Sequence, residues 1–478
     1  MKTDSRYRWA WIALSLIGAG VVLAQFFELT TGDLRPKGQA ADLYGLRYRD
    51  DVNVLFILVD TLRADRLGCY GYERDTSPTL DYMASTGVRF ENHLAQSSWT
   101  KCSMASLWTS LDPIRTGVTR FNHALPEDAL MPAEVFAEAG FRTAGIWRNG
   151  WVAPNFGFDQ GFEVYERPHP KPVPSDVRRE NPHVSLQGTD GDVVENTLEF
   201  LRVHGHERFF LYLHLMDVHQ YVYDEASAQF GSTYSDVYDN SILFTDTALG
   251  HLLTHFSDTG LLEKTVVVIT SDHGEAFGER GLEGHAKHVY RESTEIPLII
   301  SFPFQLEEGI AIDARSRNID LWPTLFDLLG LSTGEEVDGR SLVPEMLAAL
   351  AVQKEPNPDM SAMSVEEPPI AYSHLDRTWG QSKQEPKPAV AVLDGTLRYV
   401  YGRGDDGQVS EQLFDRDGDP RERRNLIEER PEEAGRLRAL AEAYLDDSEP
   451  PPWGEGTISV ELDAMELNQL RALGYELP

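Results

Sequence analysis

Three apolar runs of this 478-residue chain end in groups that could do chemistry: Asp60-Thr61, Asp217-Val218-His219 and Ser271-Asp272-His273-Gly274-Glu275. Carboxylates and imidazoles delivered together are the mixed oxygen and nitrogen donors of a divalent metal site. Any one of these aspartates is equally well explained as the cap of the turn or helix that follows it. Together they point to a site in which Asp60, Asp272 and His273 are ligands. The donor types suit Ca, Mn, Mg or Zn alike, and a second metal on Asp217, His219 or His374 stays open.

Such a metal would find a nucleophile in Ser97-Ser98-Trp99-Thr100-Lys101-Cys102-Ser103, a loop that enters a helix at about Lys101. The free N–H groups of a helix start favour an anion there. A threonine hydroxyl attacks poorly until a base or metal takes its proton. Thr100 is an ordinary helix cap by itself, and beside Asp60, Asp272 and His273 it reads as a metal-assisted nucleophile and further ligand.

The elements that must position these groups follow from periodicity. Val52 to Val59 is a continuous apolar run rich in β-branched residues, as a strand covered on both faces requires, and similar runs recur at Phe209 to Met216, Leu262 to Thr270 and Ile296 to Phe302. Helical patterns lie between them, at Met131 to Ala139 and Tyr238 to Phe256. The alternation predicts an α/β fold with a doubly wound, mostly parallel central sheet, whose ligands bind beyond the carboxyl ends of the strands. Ala389 to Arg424 predicts a smaller C-terminal antiparallel sheet, followed by a helix from Pro431 to Leu445 and a last short helix over Met465 to Tyr475.

The expected organisation is a cytoplasmic N-terminus (1–8), an apolar segment (9–27), a tether (28–50) and a catalytic domain (51–343). A Pro/Glu-rich excursion (344–385), a C-terminal subdomain (386–445) and a tail (446–478) follow. Trp9 to Phe27 is nineteen residues without a charge, behind Lys2, Arg6 and Arg8. That run predicts a membrane anchor or a signal segment, with the catalytic body exported beyond the cytosol. The net charge of −34, from 43 basic and 77 acidic residues, argues against nucleic acid as a partner. No obligate protein partner is inferred. With two cysteines, Cys69 and Cys102, neither a disulfide scaffold nor a cysteine-rich zinc site can be built.

Ordered segments of the chain, from about Asn53 to Asn425, resemble the sulfatase family of the alkaline phosphatase superfamily. They are NVLFILVDTLRADRLGCYGY, SPTLDYMASTGVRFEN, LWTSLDPIRTGV, FFLYLHLMDVH, VVVITSDHGEAFGERGLEGHAKHVYRESTEIPLII, IDLWPTLFDLLG and LFDRDGDPRERRNL. The terminal LRALGYE resembles the ends of exported bacterial members. By this resemblance Asp60, Asp272 and His273 match metal ligands. Thr100 falls at the nucleophile, nine residues before Thr109, and His219 and His285 match histidines that contact the transferred group or protonate the leaving oxygen. Lys101, Asp217 and Lys287 are assigned to substrate binding, with Arg63 a further candidate cation. The alternative for His285 and His288 is a pair of surface histidines in a Gly-rich loop.

Departures from the family pattern bear on the substrate. Sulfatases carry Cys or Ser in C/S-x-P-x-R, which maturation oxidises to formylglycine, whereas Thr100-Lys101-Cys102-Ser103-Met104 lacks the Pro and the Arg, and Thr cannot become that aldehyde. The acidic pair after the first strand is reduced to Asp60-Thr61, and the family's Lys-Trp-His segment is replaced by Trp147-Arg148-Asn149-Gly150. The resemblance implies a metal-dependent hydrolase of sulfate or phosphate esters, acting on an anionic ester through a covalent Thr intermediate. The alternatives are a phosphoryl-headgroup transferase and a catalytically inactive sulfatase-like binding protein.

Overall fold

The apolar runs become the centre of the computed structural model, which describes residue 29 and residues 32–471 apart from 184–187, 333–335, 355–366, 379–384, 405–407, 448 and 455–456. Eight strands form the central sheet: β1 (Asn53–Val59), β2 (Val88–Phe90), β3 (Arg142–Trp147), β4 (Val164–Glu166), β5 (Phe209–Leu215), β6 (Thr265–Thr270), β7 (Leu298–Ser301) and β8 (Ile310–Ile312). Their order is β8-β2-β7-β6-β1-β5-β3-β4. Every pairing is parallel except those of β7, which runs against β2 and β6. The expected strand over Ile296 to Phe302 is therefore real but reversed, a direction that its apolar pattern does not encode.

Alternation along β1 shows why the sheet has helices on both sides. Val54, Phe56 and Leu58 bury into one core, while Leu55, Ile57 and Val59 bury into the other. The first core takes α2 (Thr100–Thr109) and the short Pro132–Glu138 helix, α3, and the second takes α1 (Pro78–Ser85), α4 (Asp190–His204) and α5 (Tyr234–Asp258). α6 (Leu321–Leu329) packs on the first face, with Trp322 stacked on Trp108 at 5.0 Å. Burying an aromatic side chain of this size contributes on the order of 2–3 kcal/mol.

A second, antiparallel sheet in the order β9-β10-β11-β12 comprises Ala371–Asp376, Pro388–Asp394, Leu397–Arg403 and Val409–Asp415. One segment differs from expectation. The Pro/Glu-rich stretch begins as a helix, α7 (Val343–Lys354), because Met346 and Leu350 reach the main core. The helix predicted after the small sheet, α8 (Pro431–Leu445), covers that sheet through Leu437, Ala441 and Tyr444, and Ala464–Arg471 forms the last described helix.

The tether expected over 28–50 is docked from Gly32 onward. Buried Arg35 pairs with Asp33 at 2.6 Å and donates to the Phe302 carbonyl at 2.9 Å, while Leu43 and Leu46 are buried. The expected location also has to be corrected. Among the described residues no helix is long and apolar enough to cross a membrane. Trp9 to Phe27, on which the anchored and exported placement rested, lies outside the described residues. The described residues thus supply no membrane-spanning element to support that placement.

Candidate active site

Register brings the chemistry together. Leu58 of β1 pairs with Thr270 of β6, Val59 pairs with Leu215 of β5, and Trp147 of β3 pairs with His214. Asp60, Asp272, Asp217 and Asn149 therefore leave four adjacent strands at one sheet edge, the edge at which open α/β sheets bind ligands.

Asp60, Asp272 and His273 are fully buried, and one ligand atom from each lies within 4.8 Å of the others. Asp60 Oδ1 and Asp272 Oδ2 are both buried without a hydrogen-bond partner. They lie 3.9 Å and 3.3 Å from His273 Nε2. The His273 ring places its Nδ1 3.0 Å from the Gly274 carbonyl, which fixes Nδ1 as the donor and leaves the Nε2 lone pair facing the two carboxylates. Thr100 Oγ1 stands 3.1 Å from that Nε2. Two uncompensated buried carboxylate oxygens are costly in a protein interior. With an imidazole nitrogen and a hydroxyl beside them they fit a divalent cation.

The other carboxylate oxygens are occupied. Asp60 Oδ2 accepts from Asn149 Nδ2 at 2.6 Å and from His214 Nε2 at 3.0 Å, and the Tyr212 hydroxyl meets His214 Nδ1 at 2.7 Å. Asp272 Oδ1 accepts the His273 N–H at 2.9 Å and the Thr61 N–H at 3.3 Å. Burial opposes charge on Asp60, yet the imidazoles of His219, His214 and His273 hold its carboxylate below the ordinary range. Burial and the neighbouring Asp60 push Asp272 the other way. Thr61 sits at φ 63°, a conformation that costs a β-branched residue about 1–2 kcal/mol. Its hydroxyl donates to the Asp60 carbonyl at 2.6 Å and its own carbonyl accepts from Tyr238 at 2.7 Å.

Thr100 opens α2 behind Trp99, which offers no side-chain cap. The first turn of α2, without a side-chain cap and beginning at Thr100, is the kind of helix start that can donate N–H groups to an anion. Asn149 Nδ2 lies 3.4 Å from Thr100 Oγ1 and links it to Asp60. His219 and His285 complete the cluster, with the His285 ring 4.6 Å from that of His273 and 4.9 Å from that of His219. A two-stranded hairpin, Ala276–Phe277 with Glu283–Gly284, brings together the residues at its two ends, and Glu275 Oε2 meets His285 Nδ1 at 3.0 Å. Burial opposes protonation of His285, but Glu275 raises its affinity for a proton above the ordinary imidazole value. Burial holds His219 down at about 4.

Each of the three residues assigned to substrate binding bonds to other groups of the protein. Lys101 is fully buried, its ammonium donating to the carbonyls of Phe121 and His123 and lying 4.0 Å from the Phe156 ring centroid. Asp217 accepts from Arg148 at 2.5 Å and from the Asp190 N–H at 2.7 Å, so its carboxylate is committed to the protein. Lys287 is exposed and donates to the Glu283 carbonyl at 2.6 Å. Arg63 pairs with Asp65 and Glu279. His288 is buried against Ser293, with Nδ1 and Oγ 3.1 Å apart. Nor does a second metal set form on Asp217, His219 and His374: His374 packs beside Tyr444, and among the described residues the carboxylate and imidazole group that closes is Asp60, Asp272 and His273.

Three further residues of the site, His214, Asn149 and Glu275, carry little signal in the sequence. His214 is hidden inside an apolar run, and Asn149 was noted only as a departure in Trp147-Arg148-Asn149-Gly150. Glu275, next to Asp272-His273, carried the one usable signal.

Known proteins resemble this chain in sequence and in fold. A family model described as Sulfatase matches residues 52–331. An ulvan-active sulfatase of Formosa agariphila is 26% identical over 417 residues, covering 78% of this chain and 77% of that protein. The solved structure of a 2-O GAG sulfatase superposes with a TM-score of 0.62 at 20% identity, covering 85% of this chain and 99% of the other. A phosphonate monoester hydrolase of Agrobacterium radiobacter gives 0.61 at 18% identity, covering 82% and 94%.

Proposed function

This chain belongs to the sulfatase family, and from that premise we propose that it is a metal-dependent hydrolase of sulfate or phosphate esters that uses Thr100 as its nucleophile. The observation that carries the reading is Thr100 Oγ1 standing 3.1 Å from His273 Nε2, beside the unpartnered oxygens of Asp60 and Asp272. Sulfatase relatives support the sulfate ester, and the similarity in fold to a phosphonate monoester hydrolase keeps phosphorus esters within reach.

Asp60, Asp272, His273 and Thr100 would hold the cation, which supplies positive charge to lower the hydroxyl pKa and to offset charge on the ester oxygens. Thr100 Oγ1 releases its proton to water and attacks the sulfur or phosphorus in line, as the bond from that atom to the leaving oxygen breaks. The first-turn N–H groups of α2 bind the anionic oxygens. Asn149 Nδ2 keeps Thr100 and Asp60 in register. His285 donates its proton to the leaving oxygen, oriented by Glu275 on its other nitrogen. Water, giving its proton to the now neutral His285, then attacks the same sulfur or phosphorus and displaces Thr100 Oγ1, which regains a proton from solvent.

The test uses chelated protein resupplied with single metals and a panel of aryl esters: sulfate monoester, phosphate monoester, phosphate diester and phosphonate monoester. Turnover of at least one ester that falls about 1,000-fold or more in Thr100→Ala supports the reading. Turnover unchanged in that variant overturns Thr100. No turnover with any metal shifts the weight to a binding protein.

A further inference from the structure

Glu279 and Arg280, of the hairpin that joins Glu275 to His285, line a cavity of about 760 Å³ whose wall also includes Arg63, Arg66, Arg291, Arg421 and Arg423. Four of these guanidinium groups are already matched. Arg63 pairs with Asp65 and Glu279, Arg66 with buried Asp239, Arg280 with Glu292, and Arg291 with Glu295. The carboxylates on the wall are thereby occupied. Arg421 and Arg423 differ: both are exposed, and among the described residues neither guanidinium has a hydrogen-bond or ion-pair partner.

The residue between them explains their placement. Glu422 is fully buried at φ 49°, a left-handed conformation unfavourable for a residue with a long side chain. Its carboxylate pairs with Arg398 at 2.6 Å and with Arg280 at 3.1 Å, and its carbonyl accepts from Arg280 at 2.7 Å. A strained turn pinned from inside thus holds its two neighbours at the cavity mouth. Strain that the surrounding contacts over-determine is typical of places that bind something.

We propose that this cavity is an anion site for sulfate- or phosphate-bearing ligands, with Arg421 and Arg423 as its recognition groups. Guanidinium groups bind tetrahedral oxyanions through paired hydrogen bonds. In a chain carrying 77 acidic and 43 basic residues, two unmatched arginines at a cavity mouth mark a local reversal of sign. The volume exceeds what one tetrahedral anion fills and suits a segment of an oligoanionic chain. Arg280 and Glu279 on the cavity wall belong to the hairpin whose ends bear Glu275 and His285, which sets the site beside the reaction centre.

The test measures binding by the full chain in a Thr100→Ala background, so that its result does not depend on turnover. Probes are inorganic sulfate, inorganic phosphate and labelled sulfated oligosaccharides of increasing length. Arg421→Ser/Arg423→Ser should weaken binding about tenfold and flatten its salt dependence, whereas Arg421→Lys/Arg423→Lys should keep most of it. Small aryl-ester turnover by otherwise wild-type protein should be unaffected by either pair. Affinity that climbs with oligosaccharide length and needs the arginines assigns the site to an anionic chain. Arginine-dependent binding of inorganic sulfate or phosphate with no gain from length assigns it to the free anion. Equal affinity of the wild-type pair and the serine pair for every probe overturns the proposal. Loss of ester turnover in the unmodified protein would sink the catalytic reading while leaving this site standing.

Discussion

Glu275 and His285 act as a unit, because one oxygen of Glu275 meets His285 Nδ1 at 3.0 Å and the ring lies beside those of His273 and His219. Glu275→Gln should lower kcat about 10- to 100-fold with little change in KM, and the Glu275→Gln/His285→Ala double variant should lose scarcely more than His285→Ala. The loss should be largest for esters of alkyl alcohols, which need protonation to leave, and smallest for activated aryl esters. Full additivity in steady-state kinetics would show that the two residues do not work together. Lys101 teaches the opposite lesson. Neighbours in sequence on a helix point about 100° apart, so Thr100 at the reaction centre sends Lys101 into the box of Phe156 and Trp151.

Elements placed by apolar pattern were legible, and those placed by single polar contacts were not. β1, β5 and β6 could be read from their runs, and their carboxyl-terminal residues identified Asp60, Asp217 and Asp272 before any geometry. The docking of Gly32 onward was not legible, since its Gly, Pro and charged residues have the composition of a loop while one buried ion pair fixes them. Burial works against the Asp33 charge, but hydrogen bonds and charge from Arg35, with help from Tyr82, hold its carboxylate below the ordinary range. A carboxylate depressed in the folded state adds stability that is complete above its unfolded pKa and fades as pH falls through the folded value. Asp33→Asn should therefore destabilise the fold by about 3 kcal/mol near neutrality, because it strands Arg35. Thermal unfolding of both proteins as pH is lowered should show the gap closing. A gap that stays constant to low pH would mean that this pair does not anchor the segment.

A net charge of −34 sets the long-range behaviour of the whole molecule. An anionic ester approaches against that field and is captured only by local groups at the sheet edge. Raising ionic strength until the Debye length shrinks from about 30 Å to about 10 Å should increase kcat/KM for small anionic esters. A fall would show that steering by positive charge outweighs the acidic surface. Removing metal should act globally as well, because Asp60 and Asp272 become buried like charges. Chelation should abolish turnover and lower Tm, and one added divalent ion should restore both. A Tm indifferent to chelation and re-addition would count against the Asp60, Asp272 and His273 set as a metal centre.

If Thr100 carries the transferred group, acid quenching during turnover followed by peptide mass spectrometry will trap it there. The peptide containing Thr100 should bear one added sulfuryl or phosphoryl group, on the threonine itself, and the addition should be absent from Thr100→Ala. The same modification on Cys102 or on a serine of the loop, or active protein that never accumulates it under conditions slowing the second step, would show that Thr100 is not the nucleophile.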